Sequence, residues 1–209
     1  MFPIDTLVTY VAACLIVVIS PGPDNILAIS RGLSQGRGAA ALSAVGAGLG
    51  IMFHTVAATL GLSLILHTTP WAFWAVKAAG GAYLIWLGVR ALRSRDLVSF
   101  EPSARQSMRK VFLTGLMSNV LNPKPGLFVL AFLPQFVSAS RGPVAIQMLV
   151  YGAIFALLTA VVFTLLGGSA ARLSAWLKQH PRTGTGLNIG AGLTFVASGL
   201  SVLALKQRA

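Results

Sequence analysis

Two groups of residues in this sequence could do chemistry, and both sit where an apolar chain should hold nothing polar. The first is Ser20-Pro21-Gly22-Pro23-Asp24-Asn25. The second, in the other half of the chain, is Asn122-Pro123-Lys124-Pro125-Gly126, with Asn119 one turn before it. A proline removes a backbone donor and crowds the carbonyl four residues earlier, so each group should interrupt a helix. Gly22 is expected to take backbone angles closed to other residues. Asp24 is expected to head the helix that restarts. The freed N–H groups are read as those of Asn25, Ile26 and Leu27 at the first break and Gly126, Leu127 and Phe128 at the second. A helix N-terminus carries partial positive charge suited to a carboxylate. The freed carbonyls, of Val17, Ile19, Asn119 and Leu121, suit an ammonium group. Donors beside acceptors match the backbone end of an amino acid.

The charged and titratable residues near these breaks sharpen the picture. Asp24 is the one acidic residue well inside an apolar stretch, where a carboxylate is costly and by default functional. It could bind a substrate ammonium or carry a coupling proton; the bland alternative is a helix cap or a structural pair with Lys124. Lys124 lies between two prolines and could meet Asp24 or a substrate carboxylate. Lys77, nearer a span end, is read as snorkelling to the interface. His54 shares a helix face with Gly46 and Gly50 and could relay protons or simply pack. The candidate substrate-binding and coupling residues are therefore Pro21, Gly22, Pro23, Asp24, Asn25, His54, Asn119, Asn122, Pro123 and Lys124. No catalytic residue, metal site or cofactor is expected.

The elements that must hold these residues follow from composition. The 209 residues are 56% hydrophobic and only 10% charged, with mean hydropathy +0.80. Soluble domains carry about 25% charged residues, so the chain reads as an integral membrane protein. The first residues carry no Lys or Arg and no small-residue cleavage site follows, so the N-terminal stretch is expected to stay as a span. Six apolar stretches have the roughly 20-residue length that crosses a bilayer: about 5–30, 39–66, 71–92, 111–137, 144–168 and 187–205. The fold expected is all-α, with six transmembrane helices arranged as two inverted three-helix repeats. The first and fourth helices are broken at the Pro-rich motifs. One transporter domain, 1–209, divides into halves 1–92 and 111–209 around a cytoplasmic connector, 93–110, that holds Asp96 and Glu101. The halves echo each other at Pro23 and Pro125, Gly46 and Gly152, and Gly80 and Gly190. Interrupted helices at matching places in two halves point to a transporter's binding site.

The net charge is +12. With its basic residues between apolar spans, this suggests membrane orientation and anionic lipid rather than nucleic acid. Eleven of the sixteen Lys and Arg fall in alternate loops: Arg31, Arg37, Arg90, Arg93, Arg95, Arg105, Arg109, Lys110, Arg172, Lys178 and Arg182. Three, Arg141, Lys206 and Arg208, fall on the other side. The richer side should be cytoplasmic, leaving both termini outside. Gly46 and Gly50 have the spacing of a close helix contact, within the chain or across a homodimer. The lone Cys14 says nothing of redox compartment.

Ser20-Pro21-Gly22-Pro23-Asp24, the Gly46-Gly50-His54 face, Tyr83-Leu84-Ile85-Trp86-Leu87-Gly88, and Asn122-Pro123-Lys124 with Leu133-Pro134-Gln135-Phe136 resemble the lysine-exporter family. The nearest branch is its homoserine/threonine-efflux type. The resemblance spans nearly the whole chain; Pro125 departs from it, where a small residue is expected. It implies a bacterial inner-membrane exporter of amino acids or their derivatives, driven by the proton gradient through alternating access. Its partners would be an amino-acid substrate, protons and membrane lipid. Metal-cation export, known in more distant relatives, would call for clustered His, Cys or acidic ligands. A passive channel would call for a ring of pore charges. An intramembrane enzyme would call for a nucleophile or metal motif, and the sequence has none.

Overall fold

The computed structural model describes residues 2–20, 22–68, 70–93, 104–179 and 181–204. Pro21, the connector acids Asp96 and Glu101, and the side chains of Lys77 and Asn188 lie outside the described residues. Among the described residues the chain is helical throughout, without strands. The helices are α1 (Ile4–Ile19), α2 (Pro23–Gln35), α3 (Arg37–Thr68), α4 (Pro70–Arg93), α5 (Met108–Val120), α6 (Pro123–Ala131), α7 (Val144–Gly168), α8 (Ala170–Gln179) and α9 (Pro181–Ala204). Short 3-10 turns at Leu133–Phe136 and Ala139–Arg141 join α6 to α7.

The expected spans map onto these helices with instructive differences. The second, third and fifth become α3, α4 and α7. The first is split into α1 and α2, bent by 63°. The polar loop expected after residue 30 shrinks to Gly36, because α2 continues through Arg31 to Gln35. Gly36 has φ +83°, the left-handed turn that a glycine makes without strain at a helix end. The fourth span divides into α5 and a nine-residue α6, then leaves the α-helix before residue 137. The basic connection before the last span is itself helical, as α8, and α9 starts six residues ahead of the expected 187. By length and hydropathy, two described helices can cross a membrane alone: α3, over Arg37–Gly61, and α7. A third span exists if α1 and α2 act as one.

Small residues set the packing. A Cβ on Gly46 would lie 2.5 Å from the Phe112 carbonyl and 2.8 Å from the Leu116 nitrogen. One on Gly50 would lie 2.7 Å from Asn119 Cβ. The Gly46–Gly50 face is thus spent inside the chain, on α5. Gly48, on another face, approaches the Ala156 carbonyl of α7. Of the expected glycine echoes, Gly152 packs on Thr55, but a Cβ on Gly190 would meet nothing within 4 Å. Aromatic rings fasten α6 to its neighbours: Phe128 stacks edge-on to Phe155 of α7, with centroids 5.1 Å apart. Phe132 bridges Phe128 to Phe136, and Phe136 meets Tyr10 of α1 at 5.0 Å.

The two ends of the bundle are distinct. Towards one, the Tyr10 hydroxyl donates to the Tyr151 carbonyl, about two turns into α7. At the other, Arg37 Nε donates to the Gly168 carbonyl at its end. Arg31 is buried there and donates to the Ala104 carbonyl and to Gln106 Oε1.

If close approach of α3 and α5 holds the fold, Gly46→Ala should lower the thermal midpoint of the detergent-purified protein. Overpacking of about 1–3 kcal/mol corresponds to roughly 2–10 °C in a chain of this size. Gly61→Ala, where a Cβ meets nothing within 4 Å, should leave it unchanged. Equal midpoints for the two variants would show that the contact carries no weight.

Candidate functional site

The first break is built from the ends of α1 and α2. Ser20 caps α1 and Gly22 precedes α2, whose first residue is Pro23. Proline fits the first helical position because its missing N–H would be unpaired there anyway. Gly22 has φ −175° and ψ 174°, an extended backbone open to any residue, so its expected special conformation is not used. A Cβ there would meet Lys124 Nζ at 3.4 Å, an ordinary contact. Side chains already serve two of the carbonyls near the break. Ser20 Oγ donates to the Val17 carbonyl at 3.1 Å, and Asn25 Nδ2 donates to that of Val18 at 2.6 Å.

The second break differs from its expected form. The helix restarts at Pro123, not after Pro125, so Pro123 is the structural counterpart of Pro23. Asn122 caps it, its Oδ1 accepting from the Lys124 N–H at 3.0 Å. With prolines at 123 and 125, that capped N–H is the only one in the first three helical residues. Gly126, Leu127 and Phe128 lie inside α6, past its first three residues, and the anion-binding N-terminus expected from their N–H groups does not form. The Asn119 carbonyl is also engaged, accepting from the Asn122 backbone N–H and from His54 Nε2, each at 3.0 Å. Because a carbonyl can only accept, His54 carries its proton on Nε2 in this contact.

The charged side chains cross between the breaks. Asp24 does not cap its own helix. Its carboxylate accepts from Ser118 Oγ at 2.6 Å, Asn119 Nδ2 at 2.8 Å and Asn122 Nδ2 at 3.1 Å, all at the second break. Lys124 Nζ reaches the first break and donates to the Ser20 carbonyl at 2.8 Å and Ser20 Oγ at 2.6 Å. Its ammonium also lies 5.5 Å from the centroid of the Phe195 ring of α9, a cation–π distance. Both charged side chains are more than nine-tenths buried, at 7% and 9% exposure. The direct Asp24–Lys124 pair is replaced by this exchange, in which each break's charge is held by the other break's neutral groups.

A small cavity, partly open to solvent, lies where the breaks meet. Asp24, Asn25, Asn119, Asn122 and Lys124 line one side of it. Ile51, Phe155, Thr159 and Phe163 line another. Two buried polar atoms of residues lining the cavity have no partner: Asn119 Oδ1 and Thr159 Oγ1. An ionised carboxylate has about four lone-pair sites and an ammonium three donors. Asp24 therefore keeps one acceptor site and Lys124 one donor beyond the bonds already counted. These spare groups are of the two kinds that the ends of a zwitterion would need. Among the described residues no three His, Cys, Asp or Glu side chains gather as metal ligands would.

A family model described as LysE type translocator matches residues 15–206. The chain belongs to the LysE family. Both breaks, His54 and Thr159 fall inside the matched stretch, and the LysE family is one of transporters. The chain is 30% identical over 200 residues to an uncharacterized membrane protein of Pseudomonas aeruginosa, covering 93% of each chain. It is 30% identical to the homoserine/homoserine lactone efflux protein of Salmonella typhi, covering 91% of this chain and 92% of that one. It is 27% identical to the leucine efflux protein of an Enterobacter species, covering 90% of each. With its apolar helices, this LysE chain is a membrane protein. No solved structure matches it.

The structure brings Gly22, Asp24, Asn25, Asn119, Asn122 and Lys124 to one cavity, with Pro23 and Pro123 starting the helices that carry them. His54 stands behind Asn119 and meets the cluster through that residue's carbonyl. Pro21 lies outside the described residues. Sequence reasoning missed Ser118, the holding role of Ser20, and Thr159. Ser118 was signalled by its place one turn before Asn122, which puts three polar side chains within five residues of an apolar span. Thr159 gave no signal, since threonine is common in apolar helices.

The Ser20–Lys124 contact predicts a coupling. Ser20→Ala and Lys124→Met should each lower thermal stability, Ser20→Ala by about 1–3 kcal/mol because it takes one of two hydrogen bonds from a buried ammonium. The double variant should lose less than the sum, by roughly 0.5–3 kcal/mol. Strictly additive losses in the thermal midpoints would show that the contact is idle.

Proposed function

We propose that this protein is a secondary active exporter of amino acids or their derivatives across the bacterial inner membrane. The observation that carries this reading is the crossed pair of buried charges beside one cavity at two facing helix breaks. A zwitterion placed there would offer its carboxylate to Lys124 and its ammonium to Asp24 and Asn119 Oδ1. The efflux functions for which the relatives are named, of homoserine or homoserine lactone and of leucine, favour an amino-acid cargo.

Coupling to protons is assigned to Asp24. Its Oδ2 accepts two amide N–H groups that cannot become acceptors, whereas Oδ1 accepts from the Ser118 hydroxyl, which can rotate and accept instead. A proton would therefore bind on Oδ1 and reverse that one bond. The change in charge would weaken the hold of the second break on the first, giving alternating access a local cause. The six spans are taken as two inverted halves: α1/α2, α3 and α4, then α5/α6, α7 and α9. Each half opens with a helix restarted at a proline. The bundle end that gathers Arg31, Arg37 and the α7 terminus is assigned to the cytoplasm, with both chain termini outside.

In liposomes with an imposed pH gradient, the wild-type chain should accumulate a radiolabelled amino acid, and dissipating the gradient should abolish accumulation. Asp24→Asn keeps the shape of the side chain but fixes its charge at zero. It should fold and insert yet lose gradient-driven accumulation by at least about tenfold. Full coupled transport by that variant would remove Asp24 from the mechanism. Flux that is independent of the gradient and shows no counterflow would favour a channel.

A further inference from the structure

Phe155, Thr159 and Phe163 follow one another at four-residue spacing on α7 and face the cavity together. Thr159 differs from other threonines in these helices. Thr55 donates to the Ile51 carbonyl at 2.8 Å, Thr59 to that of Thr55 at 2.7 Å and Thr164 to that of Ala160 at 2.6 Å. In each the hydroxyl folds back on its own helix and is satisfied there. Thr159 is 1% exposed, and its Oγ1 has no partner. A buried hydroxyl without a partner is costly unless something completes it. Thr159 is also one of the residues that line the cavity holding the charged groups.

We propose that Thr159 is the residue that reads the substrate's side chain, favouring one that carries a hydroxyl over its aliphatic isostere. This rests on the cavity being the amino-acid site. The argument is one of placement. Asp24, Asn119 and Lys124 hold the ionic end of the substrate on the side of the breaks, so the side chain points to the wall made by Ile51, Phe155, Thr159 and Phe163. That wall carries no charge, which disfavours an ionised side chain. Its one free polar group is a hydroxyl, both donor and acceptor. A substrate hydroxyl completes it in either direction. A methyl group in the same place leaves it unpaired, and sites built this way discriminate against the analogue that lacks the polar group.

Threonine and valine differ by that one exchange and are the probes. The full chain in liposomes, loaded with either unlabelled amino acid, is assayed for counterflow of the labelled one. The wild type should prefer threonine. Thr159→Val should lower the threonine-to-valine ratio roughly three- to tenfold, the worth of one neutral hydrogen bond. Thr159→Ser should keep the ratio. Because the hydroxyl has no partner in the protein, Thr159→Val should also melt no lower than wild type. An unchanged ratio in Thr159→Val, or a wild type that prefers valine, overturns the assignment while leaving the exporter reading intact. A wild type that exchanges neither these nor leucine nor lysine overturns both.

Discussion

The structure depends on an exchange of charges between two broken helices. A carboxylate at the first break is held by three neutral donors of the second, and an ammonium at the second is held by the serine of the first. A buried ion without partners is among the most costly features a protein can carry. Each charge here is tolerable only while the opposite break is in place. The breaks therefore locate each other, and the helices that carry them are fixed in register.

The surrounding packing serves that constraint. Asn119 must approach α3 closely enough for its carbonyl to meet His54, and Gly50 provides the room. Gly46 does the same one turn earlier. The ring sequence Phe128, Phe132 and Phe136 anchors α6 between α7 and α1, which sets where Lys124 can reach. Polar groups that the breaks free are mostly consumed locally, by Ser20, Asn25 and Asn122. What remains unpaired is a small set: Asn119 Oδ1, Thr159 Oγ1, and the spare capacity of the two charges. That remainder of unsatisfied chemistry, left in one cavity, is the ground for proposing the place as a zwitterion site.

Such a site also explains how a small chemical change could have a large mechanical effect. The bonds between the breaks are few, and most of them converge on one carboxylate. Neutralising that carboxylate, or offering a competing ammonium, acts on the very bonds that join the two breaks. A device of this kind has few contacts to rearrange, which suits the alternating access proposed above.

Membership of the membrane class, the helical fold and the two break points were legible in the sequence. They follow from local rules: apolar length, the geometry of proline and the cost of an acid in an apolar stretch. The LysE resemblance was legible too, because it rests on short motifs. The sequence did not determine which proline starts the second half-helix. Both Pro123 and Pro125 satisfy the local rule, and the Asn122 cap decides for Pro123. Nor could it say that Asp24 and Lys124 make no direct ion pair. Opposite charges suggest a pair, but the shortest routes to satisfaction ran to Ser118, Asn119, Asn122 and Ser20, and only the packed structure sets those distances. Gly22 and Arg31 make the same point: one looked conformationally special and is extended, the other looked like a loop charge and is buried. Thr159 is the extreme case. A threonine becomes chemically conspicuous only when tertiary packing removes every partner but the contents of a cavity.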